Sequence, residues 1–332
     1  MKHDRIMLAH GGGGAKTEEL IRDLFAPAFQ LGTLEDSAVL DFAGQKLAFT
    51  TDSYVVKPYF FPGGDIGKLA VCGTVNDLAV QGAQPLWLSL GMILEEGLPV
   101  TDLEKIVASI ASTARAVGVQ VVTGDTKVVE RGRCEGIYIN TAGIGQVRRA
   151  SLGAAQIQPG DAVIVSGGLG EHGVAVLSRR EGIAFQTSVV SDCAPLWSLV
   201  EAVLATGAEV HAMRDPTRGG LAATVCDFAA AAKVGIRLQE SALPVQAEVR
   251  GACDLLGLDP LTIANEGKLV LFCPAADAGK VVAALQGHPL GREARVVGEV
   301  TARPKGLAVM RTKIGGERII DLPTGEDLPR IC

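Results

Sequence analysis

Residues 50–83 read TTDSYVVKPYFFPGGDIGKLAVCGTVNDLAVQGA, and this stretch decides the fold. Its beginning belongs to a run of β-branched and aromatic residues, 46–56, which is typical of a strand. From Asp65 onward apolar residues recur at helical spacing until Gly82, where the helix is expected to end. The stretch therefore predicts a strand, a turn and a helix in succession, with acidic residues embedded in both regular elements.

The remainder of the first half continues this alternation of strands and helices. The helix signal at 101–118 is the strongest, because Thr101 and Glu104 form the pattern of a capping box and Gly118 follows as a stop. Apolar and β-branched runs predict further strands at 85–94, 119–125 and 137–147. We therefore expect one mixed α+β domain over residues 1–150.

The second half begins after a turn-rich stretch at 151–163 and again alternates strands with helices. Its predicted elements are strands at 162–167, 268–273 and 294–300 and helices at 194–206, 219–233 and 246–257. From residue 306 a hairpin-like sequence leads to a proline-containing tail that ends in Cys332. The predicted fold class is thus α+β with two domains, the second over 151–305, followed by a hairpin and mobile tail over 306–332.

Composition sets limits on size and surroundings. With 332 residues the chain is long enough for two domains, and its net charge of −6 argues against a nucleic-acid surface. It has neither the apolar core of a signal peptide nor a run of about 18 apolar residues, so no membrane span is expected. Its seven cysteines are scattered without a CxxC pair, which favours a reducing compartment, and we expect a cytoplasmic protein.

Acidic residues stand inside or beside apolar segments in four places, and these are the candidate metal ligands: Asp36, Asp52, Asp77 and Asp125. A lone carboxylate in such a position is costly to desolvate, whereas a cluster is stabilised by Mg²⁺, which takes oxygen ligands and bridges nucleotide phosphates. The candidate nucleotide contacts are Asp52, Asn76, Asp77, Asp125 and Thr126. Helix caps and solvated surface carboxylates remain the alternative for each. Lys127 could contact a phosphate or transfer a proton.

Two glycine-rich stretches precede predicted helices. In HGGGG (10–14) the N–H groups of four glycines could surround phosphate oxygens, namely Gly11, Gly12, Gly13 and Gly14. The sequence lacks the P-loop pattern GxxxxGK[ST], and a flexible linker remains an alternative. GGLGEHG (167–173) follows a strand and opens a helix, which makes Glu171 and His172 candidates for a second anion site.

Two further groups of polar residues stand in the second half. Asp215, Thr217 and Arg218 occupy a predicted helix start within MRDPTRGGLAATVCDFA (213–229). Glu266 stands just before a strand within ANEGKLVLF (264–272), where a carboxylate could act as a base. An ordinary loop residue is the alternative for Glu266.

Together these motifs resemble one family. The segments that carry the resemblance to the HypE family of [NiFe]-hydrogenase maturation are DSAVL (36–40), 50–83, GDTKVV (124–129), DPTRGGLA (215–222), NEG (265–267) and PRIC (329–332). The acidic motifs alone are shared with aminoimidazole ribonucleotide (AIR) synthetases, selenophosphate synthetases and thiamine-monophosphate kinases. The stretch 50–83 and the terminal cysteine narrow the resemblance to the HypE family. Two loops depart from the family pattern: HGGGG replaces a loop that often has serine after the first glycine, and GEHG lacks the Asp that often precedes the His.

The resemblance implies an AIR synthetase-like fold, with an ATP-binding N-terminal domain that forms a homodimer through its mixed sheet, a C-terminal α+β domain and a flexible tail. It implies that the carbamoyltransferase HypF loads a carbamoyl group onto Cys332 and that ATP and Mg²⁺ drive its dehydration to a thiocyanate. The HypC–HypD complex would then receive the cyanide. Glu266 is the first choice as base, with Lys127 assisting phosphate stabilisation or a later proton transfer. Pro329 and Arg330 belong to the arm that carries the thiol, and we expect the position of this arm to depend on nucleotide.

Two other interpretations remain open. Within the same fold, the chain could be a selenophosphate synthetase or a thiamine-monophosphate kinase, but these offer no role for a C-terminal cysteine. It could also be a non-catalytic scaffold or metal carrier, although a single thiol makes a poor metal site. Lipidation is disfavoured, because a CaaX signal needs its cysteine fourth from the end and Cys332 is last.

Overall fold

The computed structural model describes residues 5–12, 14–30, 35–180 and 187–321. The strands of the first half are β1 Ala38–Phe42, β2 Gln45–Tyr54, β3 Phe60–Phe61, β4 Gly64–Asp65, β5 Ala83–Glu95, β6 Gln120–Val129 and β7 Ile137–Val147. Five of them form a sheet in the order β1-β2-β7-β5-β6, and β3 pairs with β4 separately. Neighbours in the sheet are antiparallel except for β5 and β6, so the sheet is mixed, as predicted.

The helices of the first half are α1 Ala15–Leu20, α2 Ala26–Phe29, α3 Ile66–Val80 and α4 Val100–Val117, with a π-helical turn at Ile21–Phe25 between the first two. Asp65 begins α3, since its carboxylate accepts the N–H groups of Gly67 and Lys68 at 2.7 and 3.1 Å. Gly118 ends α4 with a φ of 80°, as its position in the sequence predicted. The predicted capping box is wrong: α4 begins before Thr101, which lies in the first turn, and Pro99 is the cap residue.

The second half is built around another sheet. Its strands are β8 Asp161–Val165, β9 Ala212–Arg214, β10 Gly235–Gln239, β11 Val270–Pro274, β12 Arg295–Thr301, β13 Leu307–Arg311 and β14 Glu317–Ile320, in the order β14-β13-β10-β12-β8-β11-β9. Its helices are α5 Glu171–Leu177, α6 Trp197–Ala205, α7 Gly220–Ala232, α8 Ala247–Leu256 and α9 Ala275–Gln286. Every strand and helix predicted for this half is present, whereas β9, β10 and α9 had no prediction.

The hairpin predicted from residue 306 is part of the second sheet rather than a separate segment. Its strand β13 runs parallel to β10. Ala308 and Met310 of β13 and Ile320 of β14 lie in the core of this half. The tail that follows, 322–332, lies outside the described residues, and with it the predicted Pro329, Arg330 and Cys332.

The two halves meet along α3, which is buried over nearly its whole length between the first sheet and α6. Beside it the ring of Phe61 contacts His172 edge-on, with centroids 5.3 Å apart. The N–H group of Ser191 donates to the carbonyl of Pro62 at 2.7 Å, and Gly63 adopts a φ of +93° where any Cβ would lie 2.8 Å from Ser191 N. In the described ranges no helix is both long and apolar enough to cross a membrane.

Candidate active site

Carboxylates from both halves of the chain share one neighbourhood where the halves meet. Asp52 lies on β2 and Asp77 in α3, whereas Asp215 follows β9 and Glu266 precedes β11. Asp215 and Glu266 are buried, with 5% and 2% of their surface exposed. Strand ends and a helix thus bring together acidic residues that are separated by up to about 200 positions in the sequence.

Hydroxyl groups connect the acidic residues of the first half. The Oγ1 of Thr50 lies 2.8 Å from Asp77 Oδ2 and 3.0 Å from the carbonyl oxygen of Asp36. Ser37 Oγ donates to the carbonyl of Asp77 at 2.9 Å. Thr50 and Ser37 therefore hold Asp36 and Asp77 close together, and their role as metal ligands stays a prediction.

Burial and mutual repulsion raise the pKa values of these carboxyl groups. Burial, followed by the charges of Asp215 and Asp36, raises the pKa of Asp77 well above its usual value. The pKa of Asp215 is raised to about 7 by burial and then by Asp36. Burial, with Asp215 next in importance, also raises the pKa of Glu266. Burial and like charges favour the protonated form of such groups, whereas a bound cation or a hydrogen-bond donor favours the carboxylate.

Three carboxyl oxygens of the site are unpartnered. Among the described residues, Asp215 Oδ2, Asp227 Oδ1 and Glu266 Oε1 are buried without a hydrogen-bond partner. Such orphaned atoms are rare and costly, and they are expected where a ligand or ion completes the site. The donor set is all oxygen, which fits Mg²⁺. As the described side chains stand, however, no three His, Cys, Asp or Glu groups converge closely enough to hold a metal ion.

Two arginines enter the site, Arg214 from the end of β9 and Arg218 from the segment between β9 and α7. Arg214 pairs with Asp36 at 3.1 Å and with Asp227 at 3.2 Å, and its guanidinium lies 4.6 Å from the centre of the Phe228 ring. The predicted Arg218 contacts Asp52 Oδ1 at 3.4 Å. Arg214 and Asp227 had no predicted role, although both stand in the quoted segment 213–229 and Arg214 directly precedes Asp215.

A cavity of about 680 Å³ opens beside these groups. It is lined by residues of the N-terminal helices, of α7 and of the acidic cluster, including Glu18, Asp36, Arg214, Asp215, Thr217, Arg218 and Asp227. Its volume is in the range of small-molecule and nucleotide sites, roughly 300–1,000 Å³. Thr217, predicted from its place at a helix start, therefore lies on the wall of this cavity.

The N-terminal glycine loop contacts the same region. Gly11 lies at the end of a 3₁₀ turn, Leu8–Gly11, and its carbonyl accepts from Arg218 Nη1 at 3.3 Å. Gly12 follows it, and Gly14 precedes α1. Gly13 lies outside the described residues. The phosphate contacts of this loop stay predictions. Because Arg218 contacts both Gly11 and Asp52, the start of the loop lies near Asp52.

Asn76 is predicted to contact the nucleotide, but its amide group makes its hydrogen bonds within the protein. Its side chain is fully buried, and its Nδ2 donates to the carbonyls of Ala194 and Glu266 at 3.2 and 3.3 Å. Its Oδ1 accepts the N–H of Leu196 at 2.8 Å. The amide group thus joins α3 to the second half of the chain, because the helix buries this face against the segment before α6.

The predicted anion loop at 167–173 is contradicted by its hydrogen bonds. The N–H of Leu169 donates to Pro244 and that of Gly170 to Asn265 Oδ1, so these donors are used within the protein. Glu171 pairs with Lys268 at 2.9 Å, and His172 Nδ1 lies 2.8 Å from Ser191 Oγ. Both predicted residues support the interior of the second half, since the loop is packed under neighbouring segments instead of facing solvent.

Asp125, Thr126 and Lys127 lie on the exposed edge strand β6. Lys127 Nζ contacts Asp125 Oδ2 at 2.8 Å, and it holds the pKa of Asp125 below its usual value. The strands β7 and β5 lie between β6 and the Asp52 position on β2, which is a separation of about 14 Å at 4.8 Å per strand. Within a single chain the predicted grouping of Asp125 with the other three Asp is therefore wrong.

Family comparisons cover both halves. The family described as "AIR synthase related protein, N-terminal domain" matches residues 34–147, and "AIR synthase related protein, C-terminal domain" matches residues 158–310. "Carbamoyl dehydratase HypE" of Cupriavidus necator is 51% identical to the chain over 337 aligned residues, which cover 100% of the chain and 96% of that protein.

Solved structures give the same result. A crystal structure of a HypE–HypF complex is 45% identical with a TM-score of 0.87, and covers 92% of this chain and 99% of that one. HypE in complex with ATP is 46% identical with a TM-score of 0.84, covering 99% and 100%. A thiamine monophosphate kinase of Aquifex aeolicus is 19% identical with a TM-score of 0.66, over 90% of this chain and 97% of that one, so this likeness shows the fold alone.

Proposed function

The chain belongs to the HypE family of carbamoyl dehydratases, and we propose that it uses ATP to dehydrate an S-carbamoyl group on its own Cys332. The product is a thiocyanate that supplies cyanide for assembly of a [NiFe]-hydrogenase iron centre. The observation that supports this most is the buried, unpartnered carboxyl oxygen of Asp215 on the wall of a cavity of about 680 Å³, with the unpartnered oxygen of Glu266 in the same acidic cluster.

The chemistry divides into activation and elimination. A carbamoyl oxygen is a poor leaving group, and it becomes phosphate once it attacks the γ-phosphorus of ATP and releases ADP. The carbamoyl nitrogen loses one proton as the imidate phosphate forms and the second as the C–O bond breaks, which leaves the C≡N group on sulfur. Carbamoyl thioester and ATP thus give thiocyanate, ADP, phosphate and a proton.

The nucleotide occupies the cavity between the N-terminal helices and α7 in this proposal. Arg218 and the loop at Gly11 lie on the side of Asp52, where they meet phosphate oxygens. Asp36, Asp52 and Asp77, joined by Asp215 with its unpartnered Oδ2, would hold Mg²⁺. When bound, Mg²⁺ supplies neutralisation of the phosphate charge.

Glu266 removes the nitrogen protons. Its carboxyl is buried with one free oxygen, and its raised pKa, caused first by burial, makes the carboxylate a stronger base than an exposed one. Burial also excludes water that would otherwise hydrolyse the phosphorylated intermediate. Lys127 stabilises phosphate or assists a later proton transfer, and because it lies on exposed β6 it meets the reaction across a subunit contact.

We assign that contact to a homodimer formed through the first sheet. The edge strand β6 is exposed along its length, and the side chains of Val121, Val122 and Val128 are 41%, 58% and 68% exposed. Unpaired edges that carry exposed apolar residues favour association. The substitution Val122→Lys should give a monomer in light scattering, whereas Val100→Lys, at a valine of α4 that is 69% exposed, should leave the dimer intact. A dimeric Val122→Lys protein would exclude this surface.

The other partners follow from the order of the chemistry. HypF, the carbamoyltransferase, loads Cys332, in keeping with the solved complex of a relative with HypF. The HypC–HypD complex accepts the cyanide. A thiol at the end of a tail of eleven residues can meet both, because an extended tail spans roughly 35–40 Å.

Intact-mass spectrometry of the carbamoylated full chain with Mg-ATP tests the proposed function. The expected product is lighter than the carbamoylated chain by one water, with the loss in the last peptide, and Cys332→Ala should neither accept the carbamoyl group nor lose water. ADP should appear only when the carbamoyl group is present. A carbamoyl mass that stays unchanged under conditions in which the chain hydrolyses ATP would contradict the proposal, and would favour a scaffold or another ATP-using enzyme of this fold.

A further inference from the structure

The main chain around Glu266 is fixed at several points, although its carboxyl has a free oxygen. The N–H of Glu266 donates to Asp192 Oδ1 at 3.2 Å, and the N–H of Gly267 donates to Asp192 Oδ2 at 3.0 Å. The carbonyl of Glu266 accepts from Asn76 Nδ2 at 3.3 Å and from the N–H of Ala194 at 3.3 Å. The main chain of Glu266 is thus held by Asp192, Asn76 and Ala194, while its Oε1 has no hydrogen-bond partner.

Asp192 is itself held in place by a buried ion network. Its side chain is 1% exposed, and Lys268 Nζ lies 3.6 Å from its Oδ2 and 2.9 Å from Glu171 Oε2. Glu171 Oε1 accepts from Gln246 Nε2 at 2.6 Å. Although burial acts against it, the pKa of Lys268 is raised by Asp192 and Glu171, so the ammonium stays charged between them. The predicted second-domain residue Glu171 therefore acts behind the site, through Lys268.

Asn76 reaches the same loop from the opposite half of the chain. Its amide bonds to Ala194, Leu196 and Glu266 use both its donor and its acceptor atoms. The helix α3 that carries Asn76 also carries Asp77, one of the proposed cation ligands. The two adjacent residues thus connect the acidic cluster of the first half to the proposed base of the second half.

Close packing leaves this loop little freedom. A Cβ on Gly267 would lie 1.9 Å from the carbonyl oxygen of Asp192, so only glycine allows the two segments to approach. The approach brings both Asp192 oxygens within reach of the two N–H groups. The arrangement resembles the supporting groups that orient catalytic side chains, where displacements of about 1 Å cost up to about a hundred-fold in rate.

We propose that Asp192 and Asn76 are positioning residues that hold the Glu266 carboxyl toward the reacting group, one from each half of the chain. This inference rests on the proposed function, in which Glu266 is the base. Neither residue touches substrate. Their contribution to turnover passes through the Glu266 main chain, whereas a residue needed only for folding would affect every property of the protein alike.

The test is a double-mutant cycle on the full-length carbamoylated chain. The variants are Asp192→Asn, Glu266→Gln and the two combined, and the matched control is Asp259→Asn, which removes a carboxylate that accepts a backbone N–H at 3.0 Å elsewhere in the second half. The measurements are the single-turnover rate of water loss by intact mass, the affinity for ATP and the thermal midpoint. We expect Asp192→Asn to slow turnover about ten- to a hundred-fold with ATP affinity changed less than about two-fold.

The double variant decides between positioning and folding. If Asp192 acts through Glu266, the double variant is as slow as Glu266→Gln alone, because a base that is already absent cannot be misplaced further. Rate losses that multiply would overturn the inference while leaving Glu266 as the base. Wild-type turnover in Glu266→Gln would instead overturn the proposed base, and the positioning role with it.

A second variant keeps the test decisive if Asp192→Asn does not fold. Asn76→Ser shortens the side chain but keeps a hydroxyl, and it should slow turnover in the wild-type background and not in the Glu266→Gln background. A loss of equal size in both backgrounds, or an unchanged rate in both, would contradict the inference. Asn76→Asp should not restore the rate, since a carboxylate facing the carbonyls of Ala194 and Glu266 would repel them.

Discussion

The acidic cluster at the domain junction and the Asp125–Lys127 pair on β6 contain the same residue types in opposite surroundings. Glu266 and Asp215 are buried with unpartnered oxygens, whereas Asp125 and Lys127 are 71% and 69% exposed and satisfy each other. Burial raises the pKa values of the first group, and a surface ion pair lowers that of Asp125. One chain therefore gathers a buried acidic cluster, while its second set of candidate residues lies exposed on β6.

Loss of the base should have the largest effect. Replacing Glu266 with Gln keeps the shape of the side chain but removes the proton acceptor, and general bases contribute about 10²- to 10⁴-fold. We expect water loss from the carbamoylated chain to slow by this factor while ATP binding is retained. Single-turnover mass analysis checks the rate, with Glu201→Gln on the exposed surface of α6 as control. A decrease of less than tenfold in this rate would show that another residue of the cluster is the base.

The exposed pair should matter less for rate and hardly at all for stability. Lys127→Met should slow turnover roughly ten- to a hundred-fold, because it removes one charge that compensates the phosphate. Its thermal midpoint should be unchanged, since surface ion pairs contribute about 0–1 kcal/mol. Lys105→Met, at a lysine of α4 whose side chain is 65% exposed and pairs with Asp102, is the control and should leave the rate unchanged. Equal turnover rates for Lys127→Met and Lys105→Met would show that Lys127 takes no part in the reaction.

The buried cluster should destabilise the nucleotide-free protein as pH rises. Asp215 has its pKa raised from 3.8 to about 7 in the folded state, so the folded chain keeps a proton that the unfolded chain releases. Stability from this group is therefore present below about pH 4 and is lost as pH rises toward about 7. Asp215→Asn should raise the free energy of unfolding by roughly 1–3 kcal/mol at about pH 8 and by less at about pH 5.

Urea unfolding of the nucleotide-free protein at these two pH values measures this difference. The variant Asp41→Asn, at an exposed position of β1, is the control and should not reproduce it. If Asp215→Asn raises the free energy of unfolding equally at both pH values, packing and not ionisation causes the increase.

The sequence predicted most of the framework because its local signals agree with the fold. Strand β7 and the end of α4 at Gly118 have the predicted bounds, since alternating apolar residues and a left-handed glycine act locally. The capping box at Thr101 failed for a local reason as well: Pro99 is the cap of α4, so the helix begins at Val100, two residues earlier than a cap at Thr101 would place it.

The site was predicted less completely because long-range contacts decide it. Asp52, Asp77, Asp215 and Glu266 were identified by their motifs, and the fold brings them together. Asn76 looked equally suitable beside Asp77, but one helical step turns it toward the other half of the chain. Arg214, Asp192 and Lys268 carry no local signal, since their roles arise only from residues distant in sequence.

The activation of the carbamoyl oxygen by ATP is tested most directly by following that oxygen itself. The full chain is carbamoylated on Cys332 with a heavy oxygen isotope in the carbamoyl group, mixed with Mg-ATP, and the released phosphate is analysed by mass. If the oxygen is activated by phosphoryl transfer and expelled from the Glu266 site, the label appears in inorganic phosphate and thiocyanate forms on the tail. Label that appears in water, with unlabelled phosphate, would contradict the account.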